Sequence, residues 1–300
     1  MPFCIGISAI FESTRTVHAR TFLAAINHFI NTHDTTGLTF IFEDDDASPE
    51  GGRRAARRLI SRGADVVVGH FSSDAAAGAL PLYEAAGIAV LLPAATKQDL
   101  VGTLTHAFRL CPSDNDLMTL LARQLLTHGA SASVLLTHDS TAHGESLARS
   151  LTALLERTTL RLTTSPERAD AVVYCGRLNN SIRYVNALPE QLRDRPIYLT
   201  DDALSSWFIE QTDALDSLGI VGLATAGVGL SASETYYQES LAALQIASAL
   251  RHGGPMLDAL HTTTFATVMG DVQFRDGENR FTRAALWKVR NQRFVPFTFA

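Results

Sequence analysis

The sequence predicts an α/β protein of two Rossmann-like lobes with parallel sheets, and three observations carry that prediction. Short, uniformly apolar runs alternate with stretches of helical spacing, the pattern of parallel strands covered on both faces. The alternation runs from residue 3 to about residue 111 and restarts after Pro112. Beyond Met269 it gives way to short strands separated by turn residues, Asp276-Gly277-Glu278-Asn279 and Asn291-Gln292, which reads as a C-terminal β-meander.

Each element has a local reason. Phe3–Ser8 is a buried strand. Phe22, Ala25, Ile26, Phe29 and Ile30 follow the i, i+3, i+4, i+7, i+8 spacing of an amphipathic helix. Gly37 releases the chain into the strand Leu38–Glu43. Ser48-Pro49-Glu50 supplies a cap, a proline for the first helical position and an acid for the dipole, so a helix is expected to about Ser61. Gly63 ends it, and Asp65–Gly69 is a Val-rich strand. A helix over Ala76–Ala86, Gly87 and the strand Ile88–Leu92 complete the first run. In the second, Leu117, Leu120, Leu121, Leu125 and Leu126 mark a helix. Strands follow at Ser133–His138, Thr159–Leu162, Ala171–Cys175, Pro196–Thr200 and Gly219–Ala224, with helices at Glu145–Glu156 and Ile182–Leu188. Tyr236–Arg251 is a long helix. The tail holds Val272–Phe274, Ala284–Arg290 and Phe294–Phe297. The two runs meet in a short connection near Leu110–Asp114.

Composition removes several functions. Of 300 residues, 46% are hydrophobic and 19% charged, enough apolar material for a large core, so a disordered chain is excluded. The formal charge is −6 and no basic stripe stands out, which excludes a nucleic-acid binder. Arg53, Arg54, Arg57 and Arg58 read as the solvated face of one helix. No apolar run is long enough to span a bilayer, so no membrane insertion is expected. Cys4, Cys111 and Cys175 are too scattered for a disulfide framework or a zinc site and read as buried thiols. No phosphate loop, nucleophile elbow, zinc helix or dinucleotide fingerprint occurs. Glu43-Asp44-Asp45-Asp46 lacks the spacing of a calcium loop, and His138-Asp139 with His143 has no nucleophile beside it. No cofactor, metal or catalytic residue is expected. With no basic-then-apolar leader at its start, the sequence as it stands reads as cytoplasmic; a start trimmed of an export signal would look the same and place the protein in the periplasm.

Gly69-His70-Phe71-Ser72-Ser73, Leu82-Tyr83-Glu84-Ala85-Ala86-Gly87-Ile88 and Pro93-Ala94-Ala95-Thr96 together resemble the branched-chain (leucine/isoleucine/valine) amino-acid binding proteins of ABC importers. Phe108-Arg109, His138-Asp139 with Gly144-Glu145, Leu147-Ala148-Arg149, Ala242-Ala243-Leu244-Gln245 and Val268-Met269-Gly270 extend the likeness over nearly the whole chain, in the right order. The resemblance implies a type I periplasmic-binding-protein fold with a ligand cleft between two lobes. One lobe would take residues 1–113 plus about 231–270, the other 114–230 plus about 271–300. Ala47 and Ser72 match the positions where many members carry a first-lobe disulfide.

The same resemblance places an amino-acid head group on the first lobe. Ser73 and Thr96 would give hydroxyls, with backbone groups of Ser73, Ala94 and Thr96. Asp201 would meet the ammonium from the second lobe. The chemistry agrees: a carboxylate wants converging hydroxyl and N–H donors, and an ammonium wants carbonyl and carboxylate acceptors. The plainer reading of Ser73, Thr96 and Asp201 is helix capping. His143 and Arg177 stand where relatives offer tyrosines, and Tyr236 replaces another aromatic wall residue. A guanidinium beside an aliphatic side chain would leave its donors unmet, so a polar or anionic ligand group is expected if Arg177 faces it; the alternative is that both residues point into solvent. Arg15 is a weaker candidate at the lip. The function expected is non-enzymatic binding of an amino acid or close analogue, with an ABC permease as partner. The alternatives are a ligand sensor on the same fold, similar to the amide-responsive regulators of amidase operons and acting on a regulatory protein, and, last, an enzyme.

Overall fold

The structure, a computed structural model, describes residues 2–16, 18–129, 131–213, 217–224, 234–252 and 254–297. The chain divides into two compact α/β units, one of Met1–Ser113 with Tyr236–Thr282, the other of Asp114–Thr235 with Arg283–Ala300.

The first unit opens with β1 (Phe3–Ser8), α1 (His18–Thr32), β2 (Leu38–Glu43), α2 (Pro49–Ser61), β3 (Val66–Gly69), α3 (Ser73–Ala86), β4 (Ala89–Leu92) and β5 (Ala107–Arg109). β1 lies between β2 and β3 in parallel register, and β4 and β5 extend the sheet beyond β3. The central strands β1, β3 and β4 are largely apolar because both faces are covered. Ile5, Ile7, Val66, Val68 and Leu91 join one core cluster with Phe22 and Phe29 of α1. Cys4, Val67, Val90 and Leu92 join the opposite one with Leu59 of α2 and Tyr83 of α3. α2 starts as expected: the Ser48 hydroxyl accepts from the Gly51 amide at 3.0 Å, with Pro49 in the first turn. α2 and α3 meet at backbone distance. A Cβ on Gly52 would lie 2.1 Å from the Ala75 carbonyl oxygen, and one on Gly78 2.1 Å from that of Pro49. α3 begins three residues earlier than its apolar spacing suggests, at Ser73, because its first turn is polar; Gly87 ends it in the left-handed region at φ 69°.

The second unit contains α4 (Asp114–Leu126), β6 (Ser133–His138), α5 (Ala142–Leu155), β7 (Arg161–Thr163), β8 (Ala171–Cys175), α6 (Leu178–Asn186), α7 (Glu190–Arg193), β9 (Ile197–Leu199), α8 (Ser206–Gln211) and β10 (Leu218–Leu223). β7, β6, β8, β9 and β10 are neighbours in that order, all parallel. Leu117, Leu121 and Leu125 of α4 and Leu147, Leu151 and Leu155 of α5 pack one face of this sheet.

The chain then returns to the first unit as α9 (Tyr237–Ala249), buried on nearly every side and packed against α1, as befits a helix without a polar face. α10 (Met256–Thr262) and a two-stranded ribbon, β11 (Phe265–Thr267) with β12 (Gly270–Val272), follow. The tail does form antiparallel hairpins, but they belong to different sheets. β13 (Phe274–Arg275) and β14 (Glu278–Asn279) join the first sheet at β5. β15 (Ala284–Arg290) and β16 (Arg293–Pro296) complete the second at β10. Residues 271–282, expected in the second lobe, therefore sit with the first. The reason is a main-chain bond from the Arg109 amide to the Gly277 carbonyl, 2.7 Å, at a glycine with φ 77° whose Cβ would lie 2.6 Å from the Ala107 oxygen. The expected lobe boundary near 230/231 falls outside the described residues. Among the described residues no helix is long and apolar enough to cross a membrane.

Candidate functional site

In open parallel sheets, ligands are met beyond the carboxyl ends of the strands. Every candidate but Tyr236 follows such an end. In the first unit Ser73 follows β3, and Ala94 and Thr96 follow β4. In the second His143 follows β6, Arg177 follows β8 and Asp201 follows β9. The site in each unit is thus assembled from loops of adjacent strands.

In the first unit the two loops are stitched together. The Ser73 hydroxyl, at the first turn of α3, accepts from the Lys97 amide at 3.2 Å. It bridges to the neighbouring loop and caps no amide of its own helix. Ala94 and Thr96 are buried. The Ser72 hydroxyl donates to the Ala47 carbonyl at 3.3 Å, so a hydrogen bond joins the two positions matched to the family's disulfide. Cys4, Cys111 and Cys175 are buried, and none is in a disulfide.

Beneath the Phe71–Ser73 loop lies a polar cluster shielded from solvent. His70 Nδ1 is 2.7 Å from Asp45 Oδ2, and the Ser8 hydroxyl is 3.1 Å from the same nitrogen and 3.3 Å from the same oxygen. His70 Nε2 is 3.3 Å from the Tyr83 hydroxyl. Burial, reinforced by Asp45 and Glu43, pushes the Tyr83 hydroxyl far above its ordinary value, so it stays protonated and donates. Nδ1–H to Asp45 with Nε2 accepting from Tyr83 satisfies the cluster. Serine, histidine and aspartate suggest a hydrolytic triad, but serine and aspartate here share one imidazole nitrogen, whereas a relay needs one on each. The cluster pins the end of β3 to β1, α3 and the loop before α2.

Arg109 organises the other loop, from a wholly buried position at the end of β5. Its Nη1 donates to the carbonyls of Thr96 at 3.0 Å and Lys97 at 2.6 Å. Its Nε and Nη2 form a two-pronged ion pair with Glu278.

In the second unit, Asp139 accepts from the Thr141 amide and hydroxyl at 3.0 and 2.6 Å, the Arg177 amide at 2.8 Å and Asn180 Nδ2 at 2.8 Å. Burial alone would raise its carboxyl. The donors from Asn180, Thr141 and Arg177 outweigh that and hold it below the usual carboxylate range. Asp139 therefore locks the starts of α5 and α6 to each other and is no general base. Asp201 is wholly buried and opens a single 3₁₀ turn after β9. The Cys175 thiol, buried at the end of β8, is pushed up to about 12 by burial and then by Asp201, Asp139 and Asp114. That makes it a poor nucleophile.

The remaining candidates are placed as follows. His143 sits half-buried in the first turn of α5, its Nε2 buried without a hydrogen-bond partner among the described residues. Arg177 caps α6 through its main chain, and the residue is exposed. Tyr236 lies buried just before α9, at φ 67°, with its ring edge-on to Phe71 at 5.9 Å and to His18 at 6.0 Å. Arg15 is engaged by Asp44 and Asp46 at 3.2 and 2.9 Å, and Arg54 also meets Asp46. Asp44 and Asp46 of the acidic run thus serve arginines, and among the described residues no group of three or more His, Cys, Asp or Glu side chains could hold a metal. Sequence reasoning missed Arg109 with Glu278 and the His70 cluster. The available signal was a charged or polar residue inside an apolar run, Ala107-Phe108-Arg109-Leu110 and Val66-Val67-Val68-Gly69-His70, which burial obliges to be paired.

Two doubly wound units, each presenting polar residues beyond the carboxyl ends of its strands, define the class of two-lobe α/β binding proteins. A family model described as periplasmic binding protein matches residues 8–180, more than half of the chain, and the chain belongs to that family. A Leu/Ile/Val-binding protein homolog from Brucella melitensis is 30% identical over 106 residues, 35% of this chain and 29% of that relative. The Leu/Ile/Val-binding protein of Escherichia coli is 28% identical over 115 residues, 38% of this chain and 31% of its own. The matched stretch thus spans about a third of these relatives. Among solved structures, a leucine-binding protein from Thermotoga maritima superposes with a TM-score of 0.83 at 12% identity, covering 99% of this chain and 98% of its own. A branched-chain amino-acid transporter substrate-binding protein from Streptococcus pneumoniae, solved with isoleucine, gives 0.79 at 16% identity, with 98% of each chain covered. These likenesses establish the fold.

Proposed function

We propose that this chain binds a small amino-acid-like ligand without transforming it, as the substrate-binding protein of an ABC importer. The observation that carries the reading is the pairing of Ser73 and Thr96 on stitched, adjacent loops at the start of α3. Hydroxyls and main-chain N–H groups of these two loops would serve a carboxylate, and a helix start favours one. Ala94 contributes a backbone acceptor for the ammonium. The second unit offers Asp201 as a charged partner for the ammonium and His143 and Arg177 for the ligand's side chain, and the first unit offers Tyr236. Membership of the periplasmic binding protein family supports this reading, as do its Leu/Ile/Val-binding relatives. An importer role implies a permease that receives the ligand.

A thermal-shift screen of the twenty L-amino acids, followed by calorimetry, tests the proposal. A ligand at a hundred times its Kd adds about 2.7 kcal/mol of stability. At least one amino acid should raise the midpoint, and removing its carboxylate as the amide should abolish the shift. No stabilisation by any amino acid would overturn the reading.

A further inference from the structure

We infer that Glu278, in the C-terminal hairpin of the first unit, is a positioning residue for the ligand head group, acting through Arg109 on the loop that carries Thr96; the inference rests on the proposed amino-acid site. A guanidinium has five N–H donors, and burial requires each to be met. Here Nε donates to Glu278 at 3.0 Å, Nη2 reaches the other Glu278 oxygen and the Gln98 carbonyl at 3.5 Å, and Nη1 takes the Thr96 and Lys97 carbonyls. The ion pair fixes the plane of the guanidinium, and the plane fixes where the carbonyls of residues 96–98 can lie. From there one further bond, Lys97 amide to Ser73 hydroxyl, reaches the second candidate side chain. Both hydroxyls assigned to the carboxylate thus depend on an acid more than 180 residues later in the chain. Glu278 lies outside the stretch that the family model matches, residues 8–180, and its half-open carboxylate, 35% exposed against 0% for Arg109, tolerates substitution better than its partner.

The test uses Glu278→Gln, with Glu278→Asp as the conservative variant, in the full chain. Calorimetry with the tightest amino acid from the screen should show affinity falling about tenfold in Glu278→Gln and recovering in part in Glu278→Asp. In a Thr96→Ala background the same Glu278→Gln change should cost only about threefold, since the Ser73 hydroxyl alone is then left to position. Hydrogen exchange on the ligand-free protein is the second arm: the Lys97 amide should exchange about tenfold faster in Glu278→Gln, with β1 and β3 unchanged. Equal losses of affinity in both backgrounds, or unaltered affinity, would overturn the inference. If no amino acid binds the wild type, the proposed function falls by itself, and the exchange arm decides the inference: an unchanged Lys97 amide refutes it. A Glu278→Gln protein that fails to fold shifts both arms to Glu278→Asp, where an unmoved affinity and amide refute it equally.

Discussion

Asp139→Ala tests the idea that one carboxylate holds two helix starts. Its four hydrogen bonds reach Thr141 twice, Arg177 and Asn180. Hydrogen bonds to a charged group contribute about 1.5–3 kcal/mol each, and a lost helix cap costs about 1 kcal/mol. These terms share one group and do not add, and water reaches part of the site, so a net loss of about 2–4 kcal/mol is expected. The assay is unusually specific. The chain has two tryptophans, Trp207 and Trp287, and both belong to the second unit, where Trp287 is buried and donates to the Leu223 carbonyl at 3.0 Å. Fluorescence during urea unfolding therefore reports the unit that contains Asp139. With a slope of about 1–3 kcal/mol per molar urea, the midpoint should fall by about 1–2 M. The pH dependence has a definite sign. The folded carboxyl is depressed, so its contribution is complete above the unfolded value of about 3.9 and disappears as pH falls through the folded value. Wild type and variant should differ fully at pH 7 and converge below about pH 4. A midpoint within error of wild type at pH 7, or a gap that widens in acid, would refute the reasoning.

Gly78→Ala should destabilise the first unit by about 1–3 kcal/mol despite alanine's helix preference of about 1 kcal/mol, because the new Cβ would lie 2.1 Å from the Pro49 oxygen; far-UV circular dichroism should report the loss while tryptophan fluorescence lags. Asp201→Ala should weaken the amino acid found in the screen by a few kcal/mol if it meets the ammonium, and unchanged calorimetry would remove it from the site. Arg177→Ala should narrow the gap between glutamate and leucine; if leucine is the tightest ligand of the screen, the selectivity argument from this charge is wrong. The Cys175 thiol, pushed up to about 12, should resist a thiol reagent at pH 8 in the native state, and titration after unfolding without reductant should count three thiols.

The parallel strands and their covering helices were legible because short apolar runs alternating with helical spacing mark strands packed between helices. Phe3–Ser8, Leu38–Glu43, Ser133–His138 and Ala171–Cys175 are observed with the expected ends. β5 was not legible: three residues ending in an arginine offer neither length nor apolarity, and its pairing is supplied by strands from elsewhere. The division of the tail failed for a similar reason. Asp276-Gly277-Glu278-Asn279 reads as a turn and Ala284–Arg290 as a strand, and only the non-local bond at Gly277 shows that Glu278–Asn279 pairs into the first sheet. For the site, local sequence indicated which loops to inspect, yet not that Ser73 bonds a neighbouring loop or that Arg177 turns its main chain to Asp139. Those outcomes depend on contacts 24 and 38 residues apart.

The chain passes from one unit to the other after residues 113, 235 and 282, and this interleaving governs how the protein can be made. A ribosome that has released the first 113 residues has delivered β1 to β5 without α9, whose Leu241, Ala242, Leu244, Ile246 and Ala247 complete the core against Phe22 and Phe29. That nascent sheet carries an uncovered apolar face. The second sheet waits longer still, since β15 is among the last segments synthesised. Neither unit can close in the order of translation, so stable folding is deferred until nearly the whole chain has emerged. The contacts that seal each core are then those of greatest sequence separation, which form slowly. The interval is one in which exposed apolar surface favours aggregation or capture by a holding chaperone.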